Sequence, residues 1–444
     1  MIRSLAAIAA AALLSSFVHV PAHAAVVAVS STASLQAAID TARSGQRIEL
    51  ADGVHAGTIK ITRSDITVAA RRAGGTVFTS GGFALGAVRG VTVEGFVFDG
   101  TSTMSVPVEA QATRITRNTY NGNKDGASLT VSADDVQVDH NTFSNRSNEG
   151  VYLQVTGSGT EIAKRTWIHH NYFYNHSFSG SNGGESIRLG YSHKQSKSAY
   201  AVIEHNLFEK ANGDPEAISV KSSDNTVRFN TIRDSKGYIV LRHGNRTAVE
   251  GNLLFGSGIR FHGNDHKVFN NYVQNTGDRA IVFGKGSETD SGPTSTSHDR
   301  PDRVTVAFNT LVGSGAVVDS DTGTHAPKDC VLANNVIQGS SSKLVDMMSG
   351  STVKYEGNIV WGGTAGMPNG YKTVDPKLVR DANGLLRLAS GSPAVNASVG
   401  TYSYVTRDFD LQARSGTRDV GADEYNSSAV RKPLTKADVG VSAP

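Results

Sequence analysis

VQVDHNTF (136–143), WIHHNYF (167–173), VIEHNLF (202–208) and VRFNTI (227–232) share one pattern: a short alternating apolar run, a break at an asparagine, then a second apolar pair. The pattern continues through VEGNLL (249–254), VFNNYV (268–273), VAFNTLV (306–312), LANNVI (332–337) and VKYEGNIV (353–360). Its asparagines are Asn141, Asn171, Asn206, Asn230, Asn252, Asn271, Asn309, Asn335 and Asn358, at intervals of 19 to 38 residues. A recurrence in that range marks a solenoid or a similar array. Helical solenoids need two amphipathic helices per unit, whereas these units are β-branched runs punctuated by Gly, Asn, Asp and Ser. A β-propeller needs a steady period of roughly 40 residues, and the irregular intervals argue against it. The expected fold is an all-β, single-domain parallel β-helix. Its shortest intervals are bare rungs, its longer ones carry loops, and its aligned asparagines hydrogen-bond along the stack.

The flanks fit such a stack. SLQAAIDTAR (34–43) reads as a short amphipathic capping helix, N-capped by Ser34, that covers the open first rung. RDFDLQARSGTRDVGADEY (407–425) reads as a C-terminal covering segment, and residues 426–444 as a flexible polar tail. Met1–Ala24 reads as a signal peptide, with Arg3, the apolar run 5–18 and the small-residue site Ala22-His23-Ala24. That leaves 25–425 as the β-helix domain, secreted or periplasmic, with no membrane segment after cleavage. The single cysteine, Cys330, excludes an intramolecular disulfide and sits in an apolar run, so it reads as a core residue. A net charge of +3 makes nucleic acid a poor partner and tolerates an acidic substrate.

The chemistry concentrates in two neighbouring segments, GDPEAISVKS (213–222) and YIVLRHGN (238–245). Ile218 and Val220 alternate with Ser219 and Lys221, which turns Lys221 away from the core. The same alternation turns Arg242 outward, and the 21-residue interval makes Lys221 and Arg242 stacked neighbours about 4.8 Å apart at the backbone. NGGESIRLG (182–190) places Arg188 on that face one rung earlier, and GIRFHGNDH (258–266) adds Arg260, His262 and His266 one rung later. Charged solenoid exteriors are ordinary, but stacked like charges repel unless an anion lies across them. Arg188, His243, Arg260, His262 and His266 are therefore candidate substrate-binding residues. His243 has an equal alternative as a structural hydrogen-bonder to a neighbouring turn.

NGGESIR, EAISVKS and LRHG, in this order and spacing, resemble the alginate lyase and chondroitinase B polysaccharide lyase family, and the likeness covers most of the chain beyond residue 24. The resemblance implies a right-handed β-helix and β-elimination on an acidic polysaccharide. It implies Lys221 as Brønsted base, Arg242 as the acid-side residue, and Ca²⁺ near Asn182, Asp214 and Glu216. Guanidinium does not deprotonate in proteins, so Arg242 suits stabilisation of the departing oxygen better than proton donation. The family pattern has two glutamates where this chain has Asp214-Pro215-Glu216. Glu216 also shares a register with the inward Ile218 and Val220, so a bend before Ile218, supplied by Pro215, is needed to aim it outward.

The leading expectation is a lyase that cleaves alginate at C5 of a uronate. The alternatives are a chondroitin or dermatan sulfate lyase of the same mechanism and a non-catalytic β-helix that binds carbohydrate. Hydrolysis of a galacturonan would need paired carboxylates at glycosidase separation, and no such outward pair stands out.

Overall fold

The computed structural model describes residues 26–444 except 125, 276, 278, 291 and 427–430, so the expected signal peptide lies outside the described residues. Three parallel sheets of 14, 12 and 14 strands run the length of the molecule as a right-handed parallel β-helix. Each rung contributes one short strand to each sheet. Inward side chains stack on their own kind: Val138, Ile168, Ile203, Val227 and Val249 are aligned partners in the first sheet. In the third sheet, Phe98, Tyr120, Phe143, Phe173 and Phe208 form a column with ring centroids 4.8–5.0 Å apart. Rung spacing thus matches offset ring stacking, and the core is one continuous column.

The bend between the first and third sheets explains the recurrent asparagine. The residue before it adopts a left-handed backbone: His140, His170, His205, Phe229 and Asn270 have φ of 52–55°. Such residues cost roughly 1–2 kcal/mol each relative to the right-handed region. The asparagine after each one offsets that cost. Asn171 donates its backbone N–H (2.9 Å) and its Nδ2 (3.0 Å) to Oδ1 of Asn206, whose own groups do the same to Asn230. Each Nδ2 also donates to backbone carbonyls at the bend, as Asn206 does to Ile168 (3.0 Å) and Glu204 (2.9 Å). The ladder extends one rung further than the pattern above, to Asn118, which donates to Asn141 (2.9 Å).

The capping helix spans Thr32–Asp40 and buries Leu35 and Ile39 against the first rungs. Its N-cap is Ser31 rather than Ser34. Ser34 is the third helical residue, and the two serines exchange backbone-to-side-chain hydrogen bonds of 3.0 and 3.1 Å, so the sequence reading placed the start one half of a capping box too late. Residues 407–425 lie against the side of the helix, where the buried Arg414 stacks on Phe308 (5.1 Å) and bonds Asn270 Oδ1 (3.0 Å). The expected loose tail is corrected for its described part. Leu434 and the buried Val439 pack on Tyr172 and Leu207, and Arg117 donates to the carbonyls of Val441 (3.2 Å) and Ala443 (2.6 Å). Two apolar residues with a groove to fill suffice to hold an otherwise polar segment. Cys330 is buried, with burial pushing its thiol up to about 12.

Replacing Asn230 by Ala strips the acceptor from the N–H and Nδ2 of Asn206 and the donor from the carbonyls of Ile203 and Arg228. Thermal unfolding of Asn230→Ala should show a loss of about 3 kcal/mol. An unchanged melting temperature would mean that the ladder reports the fold without supporting it.

Candidate active site

The catalytic candidates lie on the second sheet, whose strands Ile187–Gly190, Glu216–Lys221, Tyr238–His243 and Ile259–Phe261 are consecutive neighbours. The register differs from simple stacking at two points. Glu216 pairs with Tyr238 and Ile218 with Ile239, so Ala217 is an extra residue; Val220 pairs with Leu241 and Lys221 with His243, so Arg242 is an extra residue on the opposite strand. Lys221 therefore stacks on His243, with Arg242 bulged beside it. A bulge at Ala217 lies between Glu216 and Ile218, where the change of side-chain direction is needed. Bulges of this kind re-aim side chains at the cost of local ladder pairing. The pair bring Glu216, Lys221, Arg242 and His243 to one face. On the other side Lys221 pairs with Gly190, where a side chain could not exist: its Cβ would lie 2.7 Å from the Lys221 carbonyl oxygen.

Each arginine of the expected cationic row has its own carboxylate. Arg188 forms a two-pronged bond with Glu185, Nε at 2.8 Å and Nη2 at 2.6 Å. Arg242 is ion-paired to Glu216 through Nη1, and Arg260 to Asp321 at 2.5 Å. The row is thus neutralised from within, and stacking repulsion does not require a bound anion. Lys221 is 8% exposed, with Nζ 3.6 Å from Glu185 Oε1. Burial lowers its pKa, and the pull of Glu185 and Glu216 against the push of Arg188 and Arg242 leaves the net shift downward.

The histidines are not cations. His243 is pushed down to about 3, first by burial and then by His298, Arg242 and Lys221. Its Nδ1 donates to the Ser297 carbonyl (3.2 Å), so the turn contact expected as the alternative is present. His262 is also held well below its ordinary value by burial, and its Nδ1 donates to the Lys285 carbonyl (3.0 Å). His298 lies between the two, its ring 4.7 Å from His243 and 4.4 Å from His262. It comes from the long loop inside the widest asparagine interval, tied down where Gln195 Nε2 donates to the Ser295 carbonyl (2.6 Å). His266 does not belong to the row. It is 1% exposed, Nδ1 accepts from the Thr247 N–H (3.0 Å) and Nε2 donates to the His262 carbonyl (2.7 Å), which occupies both ring nitrogens.

Asn182 is exposed and lines, with Arg188, Tyr191, Gln154 and Glu149, a cleft of about 340 Å³. Asp214 and Glu216 are buried and do not line that cleft; the Gly184 N–H, two residues from Asn182, donates to Asp214 Oδ2 at 3.5 Å. Asp214 is raised to about 6 by burial and by the charges of Glu185 and Glu216, and Glu216 Oε2 is buried without a hydrogen-bond partner. Crowded carboxylates with an orphaned oxygen fit a hard cation. Sequence reading missed Glu185 and His298. Glu185 stood inside the quoted NGGESIRLG, three residues before Arg188, and was legible as its partner; nothing in the sequence tied His298 to His243.

His266→Ala should lower stability by about 2 kcal/mol, because it leaves the Thr247 N–H and His262 carbonyl unpaired, and should leave KM for a uronate polymer unchanged. Arg260→Ala should raise KM with the fold intact. A raised KM and unaltered melting temperature in His266→Ala would place that ring in the groove after all.

Comparison with solved structures finds the same architecture in the PL6 family alginate lyase AlyGC (24% identity, TM-score 0.74), with 93% of this chain aligned to 60% of that one. It also finds a mannuronic acid specific polysaccharide family 6 lyase from human gut microbiota (22%, 0.69, 79% of this chain and 91% of that chain). A third is a PL6 family polysaccharide lyase from Pseudopedobacter saltans (20%, 0.67, 94% and 99%). The chain spans about 60% of the length of AlyGC. Curated protein sequences gave no significant match. Residues 29–347, well over half of the chain, match the family model described as Chondroitinase B, and the chain belongs to that family.

Proposed function

We propose that this protein is a polysaccharide lyase that cleaves alginate by β-elimination, leaving an unsaturated uronate at the new non-reducing end. The observation that carries the reading is the place of Lys221: a buried lysine on the outward face of the sheet, stacked between Gly190 and His243 with Arg242 bulged beside it and Glu185 3.6 Å from its Nζ. Only the neutral amine accepts a proton, and burial shifts Lys221 toward that form. Alginate is the preferred substrate because the solved structures of similar fold include alginate lyases. Chondroitin or dermatan sulfate is the second reading, favoured by the description of the matching family.

In this mechanism Lys221 Nζ takes the C5 proton, the C5–H electron pair becomes the C4=C5 double bond, and the C4–O4 bond breaks. Arg242 stabilises the departing O4, which takes its proton from water. The growing charge on the uronate carboxylate is met by Arg188 at the cleft. Asn182, Asp214 and Glu216 would hold Ca²⁺, which when bound supplies positive charge at that carboxylate. Export to the periplasm or medium, from the signal-peptide reading of Met1–Ala24, suits a polymeric substrate. No helix among the described residues is long and apolar enough to cross a membrane.

With folding verified by circular dichroism, Lys221→Ala should lower kcat by about 10³-fold and Arg242→Ala by about 10²-fold. Retention of kcat within threefold in either variant sinks its assignment. Calorimetry on chelator-treated protein should show Ca²⁺ binding that is lost in Glu216→Gln and tightened in Asp214→Glu. Metal-free enzyme with full activity and no Ca²⁺ heat would reject the calcium part and leave Lys221 and Arg242 standing.

A further inference from the structure

We propose that Glu185 is the positioning residue of this site: it holds Arg188 as a fixed fork and receives the ammonium that forms on Lys221 during turnover. The inference rests on Lys221 acting as the base. Glu185 is 0% exposed, so it cannot touch a polymer lying in the cleft. Its two oxygens are committed to the Nε and Nη2 of Arg188, and the Oε1 that accepts from Nε also lies 3.6 Å from Lys221 Nζ. That separation is within ion-pair reach but too long for a hydrogen bond. One buried anion therefore orients two groups.

The timing follows from the chemistry. When the C5–H bond breaks and Nζ–H forms, a neutral amine becomes a cation facing a fixed anion in a desolvated site. Interactions that strengthen only as the reaction proceeds raise kcat rather than ground-state binding. The charges around Lys221 are Glu185 and Arg188 from the preceding rung, Glu216 on its own strand and Arg242 from the next. His243 and His298 are held neutral, chiefly by burial, and Asp214 is raised to about 6 by burial and then by Glu185 and Glu216. Removing an anion that faces Lys221 lowers its pKa and removing a cation that faces it raises it, so the two deletions tip the lysine in opposite directions.

A merely structural Glu185–Arg188 pair makes a different prediction, and the pH dependence of kcat/KM on alginate in Glu185→Gln and Arg188→Gln separates the two. Glu185→Gln should lower kcat roughly tenfold to hundredfold with KM within about threefold of wild type. Its acid limb should move to lower pH, because an anion that raises the Lys221 pKa is gone. Arg188→Gln should move the limb to higher pH, because a cation that lowers it is gone. Limbs that stay put or move together, or a Glu185→Gln variant altered only in KM, overturn the proposal. If Glu185→Gln does not fold, Arg188→Gln decides alone: an upward limb supports the proposal, and a fixed or lowered one overturns it. Failure of the underlying reading is distinguishable, since wild type would then yield no unsaturated ends, or Lys221→Ala would keep its kcat.

Discussion

The molecule depends on rungs staying in register. A parallel β-helix has no tight hairpins to fix its strand pairing, and a one-residue slip would turn every apolar side chain outward. The asparagine ladder supplies that constraint at the tightest bend. Because each Oδ1 accepts both an N–H and an Nδ2 from the rung before it, a slipped rung would leave two buried donors unpaired, as between Asn171 and Asn206. The stacked rings from Phe98 to Phe208 add a second register on the inward side. Left-handed residues such as His170 and His205 precede the ladder asparagines, and a second left-handed series, which includes Ala112, Arg165, Tyr200 and Arg246, lies two residues ahead of the first-sheet strands.

Against that regularity the site is a controlled exception. The extra residues Ala217 and Arg242 sit on neighbouring strands and cancel, so pairing resumes beyond them. Within the interval, Glu216, Lys221, Arg242 and His243 share one face, which no unbroken alternation permits. Desolvation is part of the same arrangement. Lys221, Glu185, Asp214 and Glu216 are buried together, so charge balance in the site depends on specific partners rather than on solvent. The imidazoles of His243, His298 and His262 form a neutral stack beside the charged groups.

Much of this was legible because the ladder and the inward alternation are periodic. Asn141 to Asn358, the parallel architecture and the outward Lys221 all follow from local pattern. Three features were not. A bulge depends on which residue of a neighbouring strand is skipped, so the stacking of Lys221 on His243 could not be counted from a 21-residue interval. The neutralising partners Glu216 and Asp321 are distant from Arg242 and Arg260 in sequence, so the row looked more cationic than it is. His266 looked like a surface residue because its dipeptide context is polar, but the turn folds it beneath Thr247. The N-cap moved by three residues because Ser31 and Ser34 satisfy the same signal reciprocally.

The central claim is that the buried lysine removes a proton and that water does not enter the cleaved bond. Digestion of alginate in ¹⁸O-enriched water, followed by mass spectrometry of the oligosaccharides, tests this directly. Elimination predicts products lighter than hydrolytic ones by one water, carrying no ¹⁸O introduced at the break and absorbing in the ultraviolet. Saturated products carrying one ¹⁸O per cleavage would contradict the account.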